Sequence, residues 1–90
     1  MGGEPLHPDN LFLVDLVIME VKRRYPDIKI YIWTGYTYEQ IIDRKEKLLY
    51  NIIENTDVLI DGPYIQEERD ITLPMRGSRN QRIIGLKEKI

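Results

Sequence analysis

The sequence contains no cysteine. That excludes disulfides, thiolate zinc sites, cysteine nucleophiles and cysteine-held iron–sulfur clusters from this chain. It has one histidine, His7, so a site needing two imidazoles is excluded as well. Long apolar runs are missing: stretches such as Leu11–Val14 and Leu16–Met19 end on a charge, far short of a membrane-crossing helix. No basic segment leads into an apolar core at the N-terminus, so no signal peptide is expected and the expected location is cytoplasmic. Positive charge is not in excess either. Thirteen Lys and Arg face fifteen Asp and Glu, for a net charge of −2 and a pI near 5.4. That balance argues against a general grip on nucleic acid or on an anionic membrane. What is present is a globular mix, 42% apolar and 31% charged, in 90 residues, enough for one small domain.

The pattern reads loop, helix, strand, helix, strand, long loop, strand, with no repeat or linker. Residues 1–10 (MGGEPLHPDN) are rich in Gly and Pro and read as a loop. Asp9 or Asn10 is the expected cap of a helix running to about Tyr25. Leu11, Val14, Ile18, Val21 and Tyr25 recur at spacings of three and four, with Leu13 and Val17 widening that face. Pro26 stops the helix. Ile28 to Thr34 (IKIYIWT) is β-branched and aromatic, apolar on both faces, and predicts a strand covered on two sides. Thr37 to Gln40 (TYEQ) has capping-box spacing and opens a second helix to about Asn55, on which Asp43 to Lys47 forms a solvated face. Asp57 to Asp61 and Arg82 to Leu86 predict two further short strands. The long segment from Tyr64 to Asn80 has no period and reads as a functional loop. The last four residues, KEKI, read as a frayed tail.

Helices alternating with strands predict an α/β fold of about three parallel strands and two helices, joined by right-handed crossovers. Successive right-handed crossovers place both helices on one side. The other face of so thin a sheet needs a cover, so the chain is expected to dimerise, swap or pair with another half. A monomer is expected to be marginally stable.

Ligands bind at the C-terminal ends of parallel strands. Those ends are Thr34-Gly35-Tyr36, Asp61-Gly62-Pro63 and the segment after Arg82. The Gly2-Gly3-Glu4-Pro5 loop falls on the same rim. Gly2 and Gly3 allow close approach of a ligand and Glu4 offers an acceptor to an ammonium group, unless the segment is simply a flexible terminus. Thr34 and Asp61 suit ribose hydroxyls or serve as ordinary strand-end caps. Arg76, Arg79 and Arg82 form a local +3 patch, either an anion cradle or a solvated loop. Trp33 and Tyr31 fit a core better than a cofactor stack, and His7, between two prolines, fits a loop better than a catalytic role.

In series these segments are more specific than any one of them. GGEPLHP before a helix, IYIWTGYTYEQI, DVLIDGPY and LPMRGSRNQRII resemble, in order and spacing, the C-terminal half of the anaerobic ribonucleoside-triphosphate reductase-activating family. That family belongs to the radical S-adenosylmethionine (SAM) enzymes. The resemblance implies the C-terminal part of a partial (β/α) barrel, with residues 1–90 as a single partial domain. In the family a three-cysteine loop holds a [4Fe–4S] cluster, SAM binds its open iron, and the 5′-deoxyadenosyl radical abstracts hydrogen from a glycine of the partner reductase. By the resemblance, Gly2, Gly3 and Glu4 hold the SAM amino group, while Thr34 and Gly35 stand near its ribose. Asp61, the third residue assigned to the strand-end SAM rim, matches a family motif, as do Gly62, Arg76, Gly77, Asn80, Gln81 and Arg82. For these, lining the SAM pocket and contacting the reductase both stay open; Arg76, Asn80, Gln81 and Arg82 are set down as partner or substrate contacts.

The cysteine motif and the first three strands of the family are missing, and Met1 stands where the family has a serine. The resemblance therefore implies a chain that starts inside the family's fold, a truncated product or one half of a split gene. It assigns this chain no catalytic side chain and no metal ligand, and predicts no radical activity by the chain alone. The implied partners are the reductase and either the missing half or a second copy, with no nucleic acid and no membrane. A non-enzymatic module that docks the reductase is the alternative. An unrelated nucleotide-binding α/β protein ranks last, because no phosphate loop of recognised spacing is present.

Overall fold

The structure, a computed structural model, describes residues 3–87. The Gly2 assignment and most of the expected C-terminal tail lie outside the described residues. Among those described, a three-residue 3₁₀ turn (Pro8–Asn10) leads into helix α1 (Leu11–Arg24). Strand β1 (Tyr31–Trp33), helices α2 (Tyr38–Asp43) and α3 (Lys47–Glu54), strand β2 (Val58–Asp61), a 3₁₀ turn at Gln66–Glu68 and strand β3 (Arg82–Gly85) follow.

The start of α1 differs from its expectation. Asn10 stands at the N-cap of α1 but makes no side-chain cap bond; His7 caps the preceding 3₁₀ turn, its Nδ1 accepting from Asp9 N at 3.0 Å. Asn10 turns the other way, its amide donating to Glu4 O at 2.8 Å. Leu11 and Ile18 are buried, and Val14 packs beside them. Leu13 and Val17 do not widen the buried face; both are exposed, because no element of the described chain lies over that side.

The capping box forms as its spacing predicts. Thr37 Oγ1 accepts from Gln40 N at 3.1 Å, and Gln40 Oε1 accepts from Thr37 N at 2.9 Å. The helix it opens does not run through. It stops at Asp43 and restarts at Lys47, with Lys45 in the left-handed region at φ 54°. The segment DRKEK is therefore a break, not a solvated helical face. Five consecutive charged residues bring no apolar side chain to hold a helical turn there. Arg44 is instead drawn across the chain: Nη1 donates to Leu6 O at 2.6 Å, Nε bonds Glu46, and the guanidinium lies over the Tyr36 ring at 5.2 Å.

The sheet order is β1-β2-β3. β1 and β2 run parallel, with Ile32 opposite Leu59. β3 runs antiparallel to β2, with Arg82 opposite Asp61. This corrects the expected all-parallel sheet: the sheet is mixed. A parallel third strand needs a crossover, usually a helix, that carries the chain back along the sheet. The segment after β2 has only a three-residue turn. It doubles back on itself, through the bridge between Arg69 and Ser78 and the bonds Asp70 N to Gly77 O and Arg79 N to Glu68 O, and delivers β3 at the end where β2 stopped.

The core lies between the sheet and the helices. Leu6, Leu11, Ile18, Ile32, Ile41, Leu49, Ile52 and Leu59 are buried together, and α1 packs on α3, so both helical segments cover one face as expected. The opposite face carries Tyr31, Trp33, Ile60 and Ile83. Ile60 is fully buried, yet Tyr31 is 45% and Trp33 51% exposed. The two rings stack with centroids 6.4 Å apart, and Trp33 Nε1 donates to Met75 O at 2.7 Å, which ties the long loop over this side. Neither ring fills a core, contrary to expectation, because one helical layer covers only one face.

Candidate functional site

Glu4 sits at the rim where β1 ends. The buried Leu6, two residues on, anchors the loop that carries it. The Glu4 carboxylate gathers three donors. Oε2 accepts from the Thr34 hydroxyl at 2.6 Å and from Leu6 N at 3.0 Å, and Oε1 accepts from Gly35 N at 2.6 Å. The strand end is thereby sewn to the N-terminal loop. A carboxylate offers about four acceptor positions, so about one is left, on Oε1. Gly3 is exposed beside it. A Cβ at Gly35 would stand 3.3 Å from Oε1, closer than most side chains tolerate, so glycine is what lets the carboxylate lie against the backbone.

The same rim continues through Tyr36, whose carbonyl accepts from Gly62 N at 2.8 Å. Asp61, at the end of β2, is only 1% exposed. Its Oδ2 accepts from Tyr38 N, the first residue of α2, at 2.7 Å and from Arg82 Nη2 at 2.5 Å; Oδ1 accepts from Arg82 Nε at 3.0 Å. Arg82 also donates to both oxygens of Glu39, at 2.7 and 3.2 Å. The bonds from Asp61 and then from Glu39 raise the Arg82 pKa further, and the Arg82 bond holds the Glu39 carboxyl below its usual range. Asp61 thus joins the ends of two strands to the start of a helix. Both its oxygens are engaged within the protein.

The polar groups of the RGSRNQR segment turn inward. Asn80 Nδ2 donates to Pro63 O at 2.8 Å and Gln81 Nε2 to Gly62 O at 3.0 Å. Gln81 Oε1 accepts from Gly77 N and Ser78 N, and Arg76 Nη1 donates to Gln81 O at 3.1 Å. Ser78, fully buried, donates to Asn80 Oδ1 at 2.6 Å and accepts from Ile65 N at 3.2 Å. Gly62, at φ 99°, makes the turn that no L side chain adopts readily. The three arginines do not form one cradle, because Arg82 is spent on Asp61 and Glu39.

The structure therefore gathers Glu4, Thr34 and Gly35 in one cluster and Asp61 with Arg82 in a second, linked by the Tyr36–Gly62 bond. Arg76, Asn80 and Gln81 form a third, the loop's own scaffold. Sequence reading passed over Glu39, Leu6 and Ser78. All three stand inside quoted segments, GGEPLHP, IYIWTGYTYEQI and LPMRGSRNQRII, but their partners lie outside those segments or were not readable from spacing.

Among the described residues no group of three or more His, Cys, Asp or Glu is placed to hold a metal ion, and no helix is long and apolar enough to cross a membrane. An iron–sulfur cluster, which takes thiolates, does not fit the residues of this chain.

Residues 1–84 match the profile of the "4Fe-4S single cluster domain" family. The chain is 46% identical over 80 residues to the anaerobic ribonucleoside-triphosphate reductase-activating protein of Vibrio cholerae, covering 89% of this chain and 49% of that one. It is 44% identical over 86 residues to the Haemophilus influenzae protein of the same name, covering 96% and 53%. The like-named protein of enterobacteria phage T4 is 39% identical over 82 residues, covering 91% and 48%. The chain thus spans about half the length of these relatives. No solved structure matches it at a significant level. The chain belongs to the 4Fe-4S single cluster domain family, and its curated relatives there are anaerobic ribonucleoside-triphosphate reductase-activating proteins.

Proposed function

We propose that this chain supplies the SAM-holding half of a radical SAM activase for anaerobic ribonucleoside-triphosphate reductase, within a partial (β/α) barrel whose other half carries the cluster. The observation that supports this reading best is the Glu4 carboxylate, fixed by Thr34, Gly35 and Leu6 with one acceptor position left on Oε1. A fixed carboxylate with one open position suits a single N–H of an ammonium group, such as the amino end of SAM. Gly2 and Gly3 would let that end approach, and the Thr34-Gly35 strand end would face the ribose. Asp61 and Arg82 would act one step back, holding α2 and β3 so that the rim keeps its shape. Bound SAM supplies the adenosyl group for radical chemistry; this chain's residues bind and orient it. The chain has no ligand for the cluster, so by itself it would be inactive.

Titration calorimetry tests the reading. SAM is titrated into the chain co-expressed with the rest of a relative, with Glu4→Gln as the comparison. Loss of one charge-assisted bond should weaken binding roughly 10- to 100-fold. Equal affinity of the two forms would end this reading of Glu4.

Docking of the reductase through the loop is the second reading, favoured by Ile71 and Tyr64, which are exposed on the segment that also carries the exposed Arg79. A pull-down with the reductase checks it; loss of retention in Ile71→Asp is expected.

A further inference from the structure

Ile41, Arg44, Leu48 and Ile52 follow one another at intervals of three and four. An unbroken helix would therefore carry the Arg44 guanidinium on the stripe that buries Ile41 and Ile52, where a charge is costly. The helix breaks there instead. Lys45 takes φ 54°, a left-handed conformation that a lysine adopts only where its surroundings impose it, and the break turns Arg44 toward the N-terminal loop. The side chain, 18% exposed, is held from three directions. Nε donates to Glu46 at 2.5 Å, Nη1 donates to Leu6 O at 2.6 Å, and the guanidinium lies 5.2 Å from the centre of the Tyr36 ring.

These contacts close a circuit around Glu4. Leu6 is gripped at both ends, its N–H on Glu4 Oε2 and its carbonyl on Arg44. Tyr36, against the guanidinium, donates its N–H to Thr34 Oγ1 at 3.2 Å, and the Thr34 hydroxyl donates to Glu4 Oε2. Arg44 thus holds both the loop and the strand end that fix the carboxylate, although it makes no bond to Glu4 itself. We infer that Arg44 is a positioning residue for Glu4: it sets the direction of the open acceptor on Oε1, and through it the affinity for an ammonium group. The effect on affinity rests on the proposed reading of Glu4; the placement of the carboxylate does not.

Two measurements test it. Nitrogen–proton NMR of the chain reads the carboxylate without any ligand, through the Gly35 amide that donates to Oε1. Arg44→Met keeps a stem against Tyr36 and removes the donors. Its Gly35 signal should move toward the position seen in Glu4→Gln, while the Leu86 amide, bonded to Asp57 O, stays in place. Thermal melting shows whether the variant folds. If Arg44→Met does not fold, Glu46→Gln takes its place. Glu46 is 37% exposed, and its loss loosens the guanidinium while sparing the Leu6 bond, so the Gly35 signal should move the same way by less. An unmoved Gly35 signal in the folded variant would overturn the inference.

Titration calorimetry on the chain paired with the rest of a relative reads the ligand. The folded Arg44→Met variant should bind SAM roughly five- to tenfold more weakly than wild type. Combined with Glu4→Gln, it should bind no more weakly than Glu4→Gln alone, because both changes act through one carboxylate. Losses that add would overturn the inference, since Arg44 would then act on something other than Glu4. No SAM binding by the wild-type pair would sink the functional reading, and the Gly35 signal would still decide whether Arg44 places the carboxylate.

Discussion

Replacing Asp61 by Asn should destabilise the protein substantially although the side chain keeps its size. Asp61 is 1% exposed and accepts three bonds, two from Arg82 and one from Tyr38 N. All three partners are donors. An asparagine presents one oxygen and one NH₂, so one side of the side chain must set donor against donor. Each charge-assisted bond contributes about 1.5–3 kcal/mol, and a buried donor left unmade carries its own desolvation cost. No longer burying a charge offsets part of the loss. The net is about 2–3 kcal/mol, a large share of the roughly 5–15 kcal/mol that holds a domain folded. For a domain of this size it corresponds to a fall in Tm of roughly 8–24 °C. Thermal unfolding followed by circular dichroism at neutral pH measures it. Glu39→Gln is the internal comparison, since that carboxylate is exposed and its pair with Arg82 is screened by water. A fall in Tm under about 3 °C for Asp61→Asn, or an equal fall for Glu39→Gln, would refute the assignment of Asp61 as the tie between β2, β3 and α2.

Ile52→Ala, at a fully buried core position, should cost about 2–5 kcal/mol by chemical denaturation, with the denaturant slope unchanged. Gly35→Ala should displace the Glu4 carboxylate and weaken SAM binding more than stability, because its Cβ meets Oε1 at 3.3 Å; calorimetry and melting together separate the two effects. Acid should destabilise the fold in a defined direction. Bonds to Arg23 and Arg24 lower the Glu20 carboxyl, the Arg82 bond lowers Glu39, and the Thr72 bonds lower Asp70. Carboxyls lowered in the folded state contribute stability that is complete above the ordinary carboxylate range and is lost as pH falls through and below it. Melting between pH 7 and pH 3 should show that loss, and Glu20→Gln with Glu39→Gln should flatten it.

The features legible in the sequence are those set by near neighbours. The Thr37–Gln40 box and the Leu11, Val14 and Ile18 part of the α1 stripe depend on spacing alone and stand in the structure as implied, whereas Leu13, Val17 and Tyr25 of that face are exposed. The break at Lys45 was not legible, because it depends on Arg44 reaching a carbonyl 38 positions away. The direction of β3 was not legible either: it follows from a loop held by Ser78, Asn80 and Gln81, whose bonds are made to partners as far as Gly62. Asp61 reads as a strand-end residue and Arg82 as part of a basic patch, but their pairing across 21 positions shows only in the fold. Glu4, Thr34 and Gly35 were assigned to one rim from motif and strand-end position, and the fold brings them into hydrogen-bond contact.

The most direct measurement is the pH-controlled affinity of SAM for the chain paired with the remaining half of a relative, in wild type and Glu4→Gln. SAM binding that falls roughly 10- to 100-fold in Glu4→Gln, with the paired complex still assembled, is the predicted result. Undiminished binding in the variant, or no SAM binding by an assembled complex, would contradict the assignment of this chain as the SAM-holding half.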